Sequence, residues 1–450
     1  MMDIKYSELS IPLVNVSDYL NNTDKRVELK DSVLDALSTH GFMYIQSANF
    51  SEEDIESCIS ENTEFFSRFS SEFLTKHAVN SSDSARRGYS ATKSENFGIL
   101  VGKAGIPNDT VEKFRFGPFH GQFSPSGQSD TSSFIDEYYT SNEAKFMHFI
   151  PNQLKCLVTC DGSEGSNSYS TPVEVQLFEE SIIENYYNKF KTVACEILSV
   201  LQDCMELPDG YFDGKMDKHT SIMTFNSYKG EVGAASAALS DLERVRITEH
   251  TDISMLTLLI QSQPPPSAAA VGTASTRSSR LQVKTINPVS GDVEWRRVAF
   301  RPGGIIVNIG DCLSYWTHGK LKSTYHRVVD VDVDVGVSVG VSTDTRPVPG
   351  GQAGPVVAQD RFSVAYFVSP NYNSLLERNW PTFSACADTN TNTNSNTAGD
   401  AVTSEDSPIT YSNWRKKRIK SAMKHLKSST SATSGTTTTS ASNRKVPCKG

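Results

Sequence analysis

No run of 18 or more apolar residues occurs in this chain, so no membrane-spanning helix is expected. The opening MMDIKYSELSIPL lacks a basic stretch followed by an apolar one, and it lacks the Arg/Ser-rich character of a transit peptide. It therefore reads neither as a secretory signal nor as an organelle address. The eight cysteines (Cys58, Cys156, Cys160, Cys195, Cys204, Cys312, Cys386 and Cys448) form no CxxC pair, which argues against zinc ribbons and redox dithiols. Cys156 and Cys160 lie closest, with no second pair to accompany them. Scattered thiols in a reducing compartment are the plainer reading, and a cytoplasmic location follows from it.

Apolar residues make up 37% of the chain and charged residues 21%, ordinary for a globular protein but somewhat low in apolar content. A length of 450 residues leaves ample room for a large core. The net charge of −9 is uneven: residues 411–450 hold ten Lys/Arg and no Asp/Glu, leaving 33 basic against 52 acidic before them. An acidic body is a poor general binder of nucleic acid, and none is expected as a partner.

Periodicity divides the chain in two. Residues 1–210 read as a mixed helix and strand region. IPLVNVSDYL (11–20) is a short strand turning into a helix start, and 24–40 has apolar residues at helical spacing with Gly41 as the stop. Phe42-Met43-Tyr44-Ile45 is β-prone. A helix is expected over 51–77, with Ser51 as N-cap and Asp54 as an approximate capping-box partner. The clearest helix spans 175–206 and ends at Pro208-Asp209-Gly210. Residues 211–378 read as the core. Short strands predominate there (SIMTFNSY, RVRITEH, MLTLLIQ, LQVKTI, WRRVAF, GIIVNIG, YHRVVDV and FSVAYFV), which argues for a sandwich or barrel. Low-complexity insertions interrupt the core at 262–280 and 330–358. A disordered linker (379–408), a helix (409–427) and a disordered basic tail (428–450) complete the expected organisation.

The chemical signal is His250-Thr251-Asp252 with His326 further on. A non-haem iron(II) oxygenase needs two His and one carboxylate on one face of the metal. In an extended strand, residues i and i+2 point the same way, about 7 Å apart, so His250 and Asp252 can converge while Thr251 points away. His326, on the β-prone run YHRVV, can supply the third ligand from a neighbouring strand.

The surrounding blocks are HTDISMLTLLIQ (250–261), GGIIVNIGD (303–311), GKLKSTYHRV (319–328) and RFSVAYFVSPN (361–371). In this order they resemble the isopenicillin N synthase-like branch of the 2-oxoglutarate and iron(II)-dependent dioxygenases, whose pattern runs HTDxxxLTLLxQ, NxGD, KSxxHRV, RFS. IPLVNVS, LDALSTHGFMYI, Phe65-Phe66, Arg87-Gly88-Tyr89 and Asn226-Ser227-Tyr228 fit the family's earlier landmarks. The resemblance covers roughly residues 8–378 plus the helix at 409–427.

That resemblance implies a mainly β fold with flanking helices (α+β), its core a distorted double-stranded β-helix, or jelly roll. It implies iron(II) held by His250, Asp252 and His326, which are also the catalytic centre. It implies 2-oxoglutarate held by Arg361 and Ser363, with Tyr228 adding a hydrogen bond and Asn226 shaping the pocket. Arg suits the task because its planar fork meets a carboxylate bidentately. Dioxygen is the oxidant and ascorbate an accessory reductant. The reaction implied is hydroxylation or desaturation of a small organic metabolite, with release of succinate and CO2, by a monomer. Phe225, Trp316 and Phe367 are candidates for an aromatic-friendly cavity, and each also suits plain core.

The sequence departs from the family pattern in places. The spacings His250 to His326 (76 residues) and His326 to Arg361 (35) are long, and the two insertions absorb the excess. Tyr228 is followed by Lys229-Gly230 where the family has Pro-Pro. Gln46-Ser47-Ala48-Asn49 stands where it has Asn-His-Gly. Three alternatives remain open: a related iron(II) oxidase that does not use 2-oxoglutarate, a catalytically inactive jelly roll serving as a binding or scaffold module, and a zinc hydrolase on the same three ligands.

Overall fold

The computed structural model describes residues 8–77, 88–103, 105–117, 178, 181–217, 220–230, 245–263, 278–287, 290–330, 360–377 and 408–433. Cys156, Cys160, Cys386, Cys448, Arg87, most of both insertions, all but the last residue of the 379–408 linker and the end of the tail lie outside the described residues.

The architecture mixes helices with two large sheets. The strands are β1 (Leu13–Asn15), β2 (Phe42–Gln46), β3 (Gly88–Ser90), β4 (Glu112–Phe116), β5 (Ile222–Tyr228), β6 (Val245–His250) and β7 (Leu256–Gln261). They continue as β8 (Ser278–Ile286), β9 (Val293–Ala299), β10 (Ile305–Ile309), β11 (His326–Val329) and β12 (Arg361–Val368). The major sheet has the order β1-β2-β10-β7-β12-β5-β4-β3, and the minor sheet β6-β11-β8-β9. Apart from the parallel pair β1–β2, the ladders are antiparallel.

Alternation along each strand fixes what lies on either side of the major sheet. On β12, Phe362, Val364, Tyr366 and Val368 enter the main hydrophobic cluster, while Arg361, Ser363, Ala365 and Phe367 face a cavity. On β2, Met43 and Ile45 join that same cluster. Phe42 and Tyr44 instead pack with Leu281, Val283 and Val298 of the minor sheet. The major sheet is therefore sandwiched: helices cover one face and the minor sheet the other.

The helices that cover it follow local rules. α1 (Val16–Asn21) and α2 (Thr23–Thr39) are capped by Asn15 and Asn22, whose side chains accept backbone amides. α2 ends at Gly41, whose φ of +70° suits glycine. A Cβ there would lie 1.9 Å from the Lys322 carbonyl oxygen, so the close approach also needs glycine. The expected 51–77 helix is two helices, α3 (Glu52–Arg68) and α4 (Ser71–His77), broken at Phe69, whose backbone turns extended. The capping box is complete despite the shorter Asp54: Ser51 Oγ accepts from Asp54 N at 3.2 Å and Asp54 Oδ2 from Ser51 N at 3.1 Å. α5 (Asn188–Cys204) lies within the helix expected over 175–206 and buries Phe190, Val193, Ala194, Ile197, Leu198 and Leu201.

Short helices α6 (Asp213–Met216) and α7 (Asp311–Trp316) follow. The final helix α8 (Tyr411–Thr433) extends past the expected end at 427. β13 (Leu375–Leu376) and β14 (Ile409–Thr410) pair just before it. The last residues of the first expected insertion, 278–280, belong to β8. No described helix is long and apolar enough to cross a membrane.

Candidate metal and co-substrate site

His250 closes β6 and His326 opens β11, and the two are directly paired across the ladder. Asp252 lies in the irregular segment just beyond β6, ahead of the bend at 253–255, not on an extended strand as expected. This placement brings the carboxylate between the two rings: Asp252 Oδ1 is 3.8 Å from both His250 Nε2 and His326 Nε2. One ligand atom from each residue falls within 4.8 Å of the others, and all three residues are buried. Three buried donors of this kind, aimed at one point, can hold a divalent cation.

The imidazoles are oriented for that task. His250 Nδ1 donates to the Thr248 carbonyl oxygen at 2.7 Å, and His326 Nδ1 to the Thr324 carbonyl oxygen at 3.0 Å. This fixes each ring and leaves Nε2 with its lone pair facing Asp252. Burial, then the neighbouring His326, push His250 down to about 3, so it stays neutral. Burial alone would raise Asp252. His326 and His250, with hydrogen bonds from Asn308 (2.8 Å) and Thr257 (2.7 Å), outweigh it and hold the carboxyl below its usual range. Those two donors occupy Oδ2 and leave Oδ1 facing the histidines. Asn308 and Thr257 are themselves paired across β10 and β7.

The three residues open into a cavity of about 700 Å³ that also contains Arg361, Ser363, Tyr228 and Asn226. Asn226 donates to Ser363 Oγ at 3.2 Å, and the Tyr228 and Ser363 hydroxyls lie 3.5 Å apart. Burial keeps the Tyr228 phenol protonated and able to donate. Arg361 is 6% exposed, and its Nε has no hydrogen-bond partner. No carboxylate among the described residues pairs with it. Burial, then repulsion from Arg280, push it down to about 9. Arg280 is engaged elsewhere, sharing Asp330 with Arg246. A buried guanidinium with an orphaned Nε–H and two hydroxyls beside it fits a carboxylate arriving from solution.

Comparison with known proteins agrees with this chemistry. Residues 221–370 match the 2OG-Fe(II) oxygenase superfamily, and residues 11–133 the N-terminal region of the non-haem dioxygenases of morphine synthesis. The chain belongs to the 2-oxoglutarate and iron(II)-dependent dioxygenase superfamily. It is 24% identical over 351 residues to the 2-oxoglutarate-dependent dioxygenase gloF of Glarea lozoyensis, covering 77% of this chain and 83% of that protein. To the proline hydroxylase buaE of Petromyces alliaceus it is 28% identical over 191 residues, 42% of this chain and 48% of that protein. A solved full-length protein of Neurospora crassa, crystallised in complex with alpha-KG, superposes with a TM-score of 0.56 at 20% identity, covering 92% of this chain and 96% of that one.

Of the aromatic candidates, only Phe367 lines the dioxygenase's cavity. Phe225 packs against Phe116 and Phe65, and Trp316 against Tyr211 and Phe212, all within core. Sequence reasoning gave no role to Asn308 or Thr257, although both sit in quoted blocks (NIGD and LTLL). It also passed over Phe97, whose ring lies 5.1 Å from that of His250, and Lys113 and Arg115, which line the cavity from β4.

Several contacts hold the metal loop in place. Gly310 N donates to the Met255 carbonyl oxygen, and a Cβ on Gly310 would lie 2.1 Å from the Ser254 carbonyl oxygen and 3.0 Å from that of Asp252. Gly310→Ala must therefore displace the loop that carries Asp252. We expect a loss of about 1–3 kcal/mol of stability together with weaker iron retention, read by thermal denaturation and metal content. Thr251 turns from the ligands to donate to Asp311 Oδ2 at 3.1 Å. Arg418 of α8 donates to that same oxygen at 2.8 Å and to the Leu100 carbonyl oxygen at 2.9 Å. It thereby ties α8 to the metal loop and to the short 3-10 turn Phe97–Val101. Arg418→Met is expected to cost about 1–3 kcal/mol and to make α8 the first segment cut in limited proteolysis.

Proposed function

We propose that His250, Asp252 and His326 bind the iron, and that Arg361 with Ser363 and Tyr228 holds the far carboxylate of 2-oxoglutarate, Asn226 aligning the Ser363 hydroxyl. The reaction is hydroxylation or desaturation of a small organic metabolite. One observation carries this reading: three convergent ligand atoms share a cavity with a buried arginine that lacks an anion. The alternation of inward-facing residues on β5, β7 and β12 against the minor sheet supports the finer description of the core as a distorted double-stranded β-helix.

When bound, the iron with 2-oxoglutarate supplies the oxidative step, in which dioxygen is spent on decarboxylating the co-substrate to succinate and CO2 and on oxidising the substrate. The chain supplies the rest. Thr248 and Thr324 fix the imidazole tautomers. Asn308 and Thr257 keep Asp252 ionised and aimed. Arg361 orients the co-substrate, and burial of the three ligands limits water at the metal. Succinate release from 2-oxoglutarate in the presence of a metabolite panel tests the proposal. Release should require added iron, stop on chelation and keep pace with product. Product formation without succinate would instead favour an iron oxidase that uses Arg361 and Ser363 for its substrate.

A further inference from the structure

A second buried cation faces the same cavity, two strands away from the co-substrate residues. The register places Lys113 beside Asn226, and Asn226 beside Ser363, along one row of the major sheet. With strands about 4.8 Å apart, Lys113 stands roughly 10 Å from Ser363 along that row. Its side chain is only 4% exposed.

An ammonium group stripped of water needs strong compensation, and here it is thin. Lys113 Nζ donates to Glu95 Oε2 at 3.1 Å and lies 3.8 Å from the centroid of the Phe97 ring. The Glu95 carboxylate is divided: Oε2 also accepts from Arg115 at 2.7 Å, and Oε1 accepts from Ser90 at 3.0 Å. Asp109 is the other nearby carboxylate. Its oxygens accept from the Thr248 amide and hydroxyl and from the Phe97 amide. Burial outweighs these supports and pushes Lys113 down to about 8. Arg361, on the same inner face, is likewise buried and pushed down by burial, though no carboxylate among the described residues pairs with it where Lys113 shares one. One such cation meets the acid of the co-substrate.

We propose that the other, Lys113, anchors a carboxylate of the substrate, so that the enzyme acts on small organic acids. The inference rests on the functional reading above and names the substrate class of that site. Phe97 joins the two parts, its ring centroid 3.8 Å from the Lys113 ammonium and 5.1 Å from the His250 ring. An acid held by Lys113 thus keeps its carbon skeleton next to the metal ligands. Ile222, Phe367 and Ile419 offer that skeleton apolar walls.

The test is calorimetric titration of the full chain, loaded anaerobically with iron(II) and 2-oxoglutarate. The probes are benzoate, phenylacetate, hexanoate and N-acetyl-proline, each against its own carboxamide. At least one acid should bind, with its amide about 30-fold weaker or more, the scale of losing one partner of a buried charge pair. Lys113→Met and Lys113→Gln should each erase that acid-over-amide ratio, which a merely structural lysine would not set. The inference is overturned if amides bind as well as acids, if no acid binds, or if either folded variant keeps the wild-type ratio. A chain that takes up iron and 2-oxoglutarate but shows no acid preference defeats this inference alone. A chain that takes up neither defeats the functional reading with it.

Discussion

Asp252→Asn is expected to lower turnover by about a thousandfold or more while the protein stays folded. The asparagine keeps the shape of the side chain, and its carbonyl oxygen can still accept from Asn308 and Thr257, so no buried donor is orphaned. What disappears is the one negative charge that both histidine Nε2 atoms face at 3.8 Å. A bound metal contributes several kcal/mol of charge stabilisation to such reactions, and each 1.36 kcal/mol is tenfold in rate. Loss of the ligand should therefore show as lost iron and lost succinate release together. The supporting donors give a graded control. Asn308→Ala or Thr257→Val leaves the carboxylate in place but less well aimed, and iron affinity should fall about 10–100-fold. Metal analysis of the purified variants and initial rates of succinate release check both steps. A variant Asp252→Asn that retained iron and rate would remove Asp252 from the site.

Arg361→Met is expected to have opposite signs in two measurements. The Michaelis constant for 2-oxoglutarate should rise about 100-fold or more, because truncating one member of a buried, hydrogen-bonded charge pair costs about 2–5 kcal/mol. The unliganded protein should not lose stability. Arg361 is buried with an orphaned Nε and sits near Arg280, so replacing it with an apolar chain of similar length removes a desolvated charge. A melting temperature equal to or above wild type, beside a collapsed 2-oxoglutarate affinity, is the signature of a residue kept for its ligand. Arg361→Lys should recover only part of the affinity, since an ammonium cannot offer two parallel donors. A large loss of apo stability with unchanged 2-oxoglutarate kinetics would make Arg361 a structural residue.

Much of this site was legible in the residues. The convergence of His250, Asp252 and His326 was readable from the blocks around them: a His-x-Asp triplet with one later histidine says little alone, and the ordered HTD, NIGD, KSTYHRV and RFS blocks single it out. The RFS block was readable because alternation in a strand puts Arg361 and Ser363 on one face. Strand positions were likewise plain where β-branched runs were bounded by Gly, Pro, Asn and Asp. What the sequence hid depends on packing between distant segments. Nothing local said that Asn308 and Thr257 would meet over Asp252, since they lie 51 residues apart and join only when β10 pairs with β7. The break at Phe69 was hidden too. Its flanks both have helical spacing, and the extended residue between them is set by aromatic packing on Phe65, Phe73 and Phe178. Lys113 was overlooked because a lysine in a short strand reads as surface. Only the register across β4, β5 and β12 turns it inward.

An anaerobic titration, iron(II) first and 2-oxoglutarate second, probes the proposed centre most directly. One iron should bind per chain, and 2-oxoglutarate should then bind at one equivalent, its affinity falling at least tenfold when the metal is withheld. Uptake of 2-oxoglutarate that is indifferent to iron, or iron uptake that survives replacement of Asp252, would contradict a shared metal and co-substrate site.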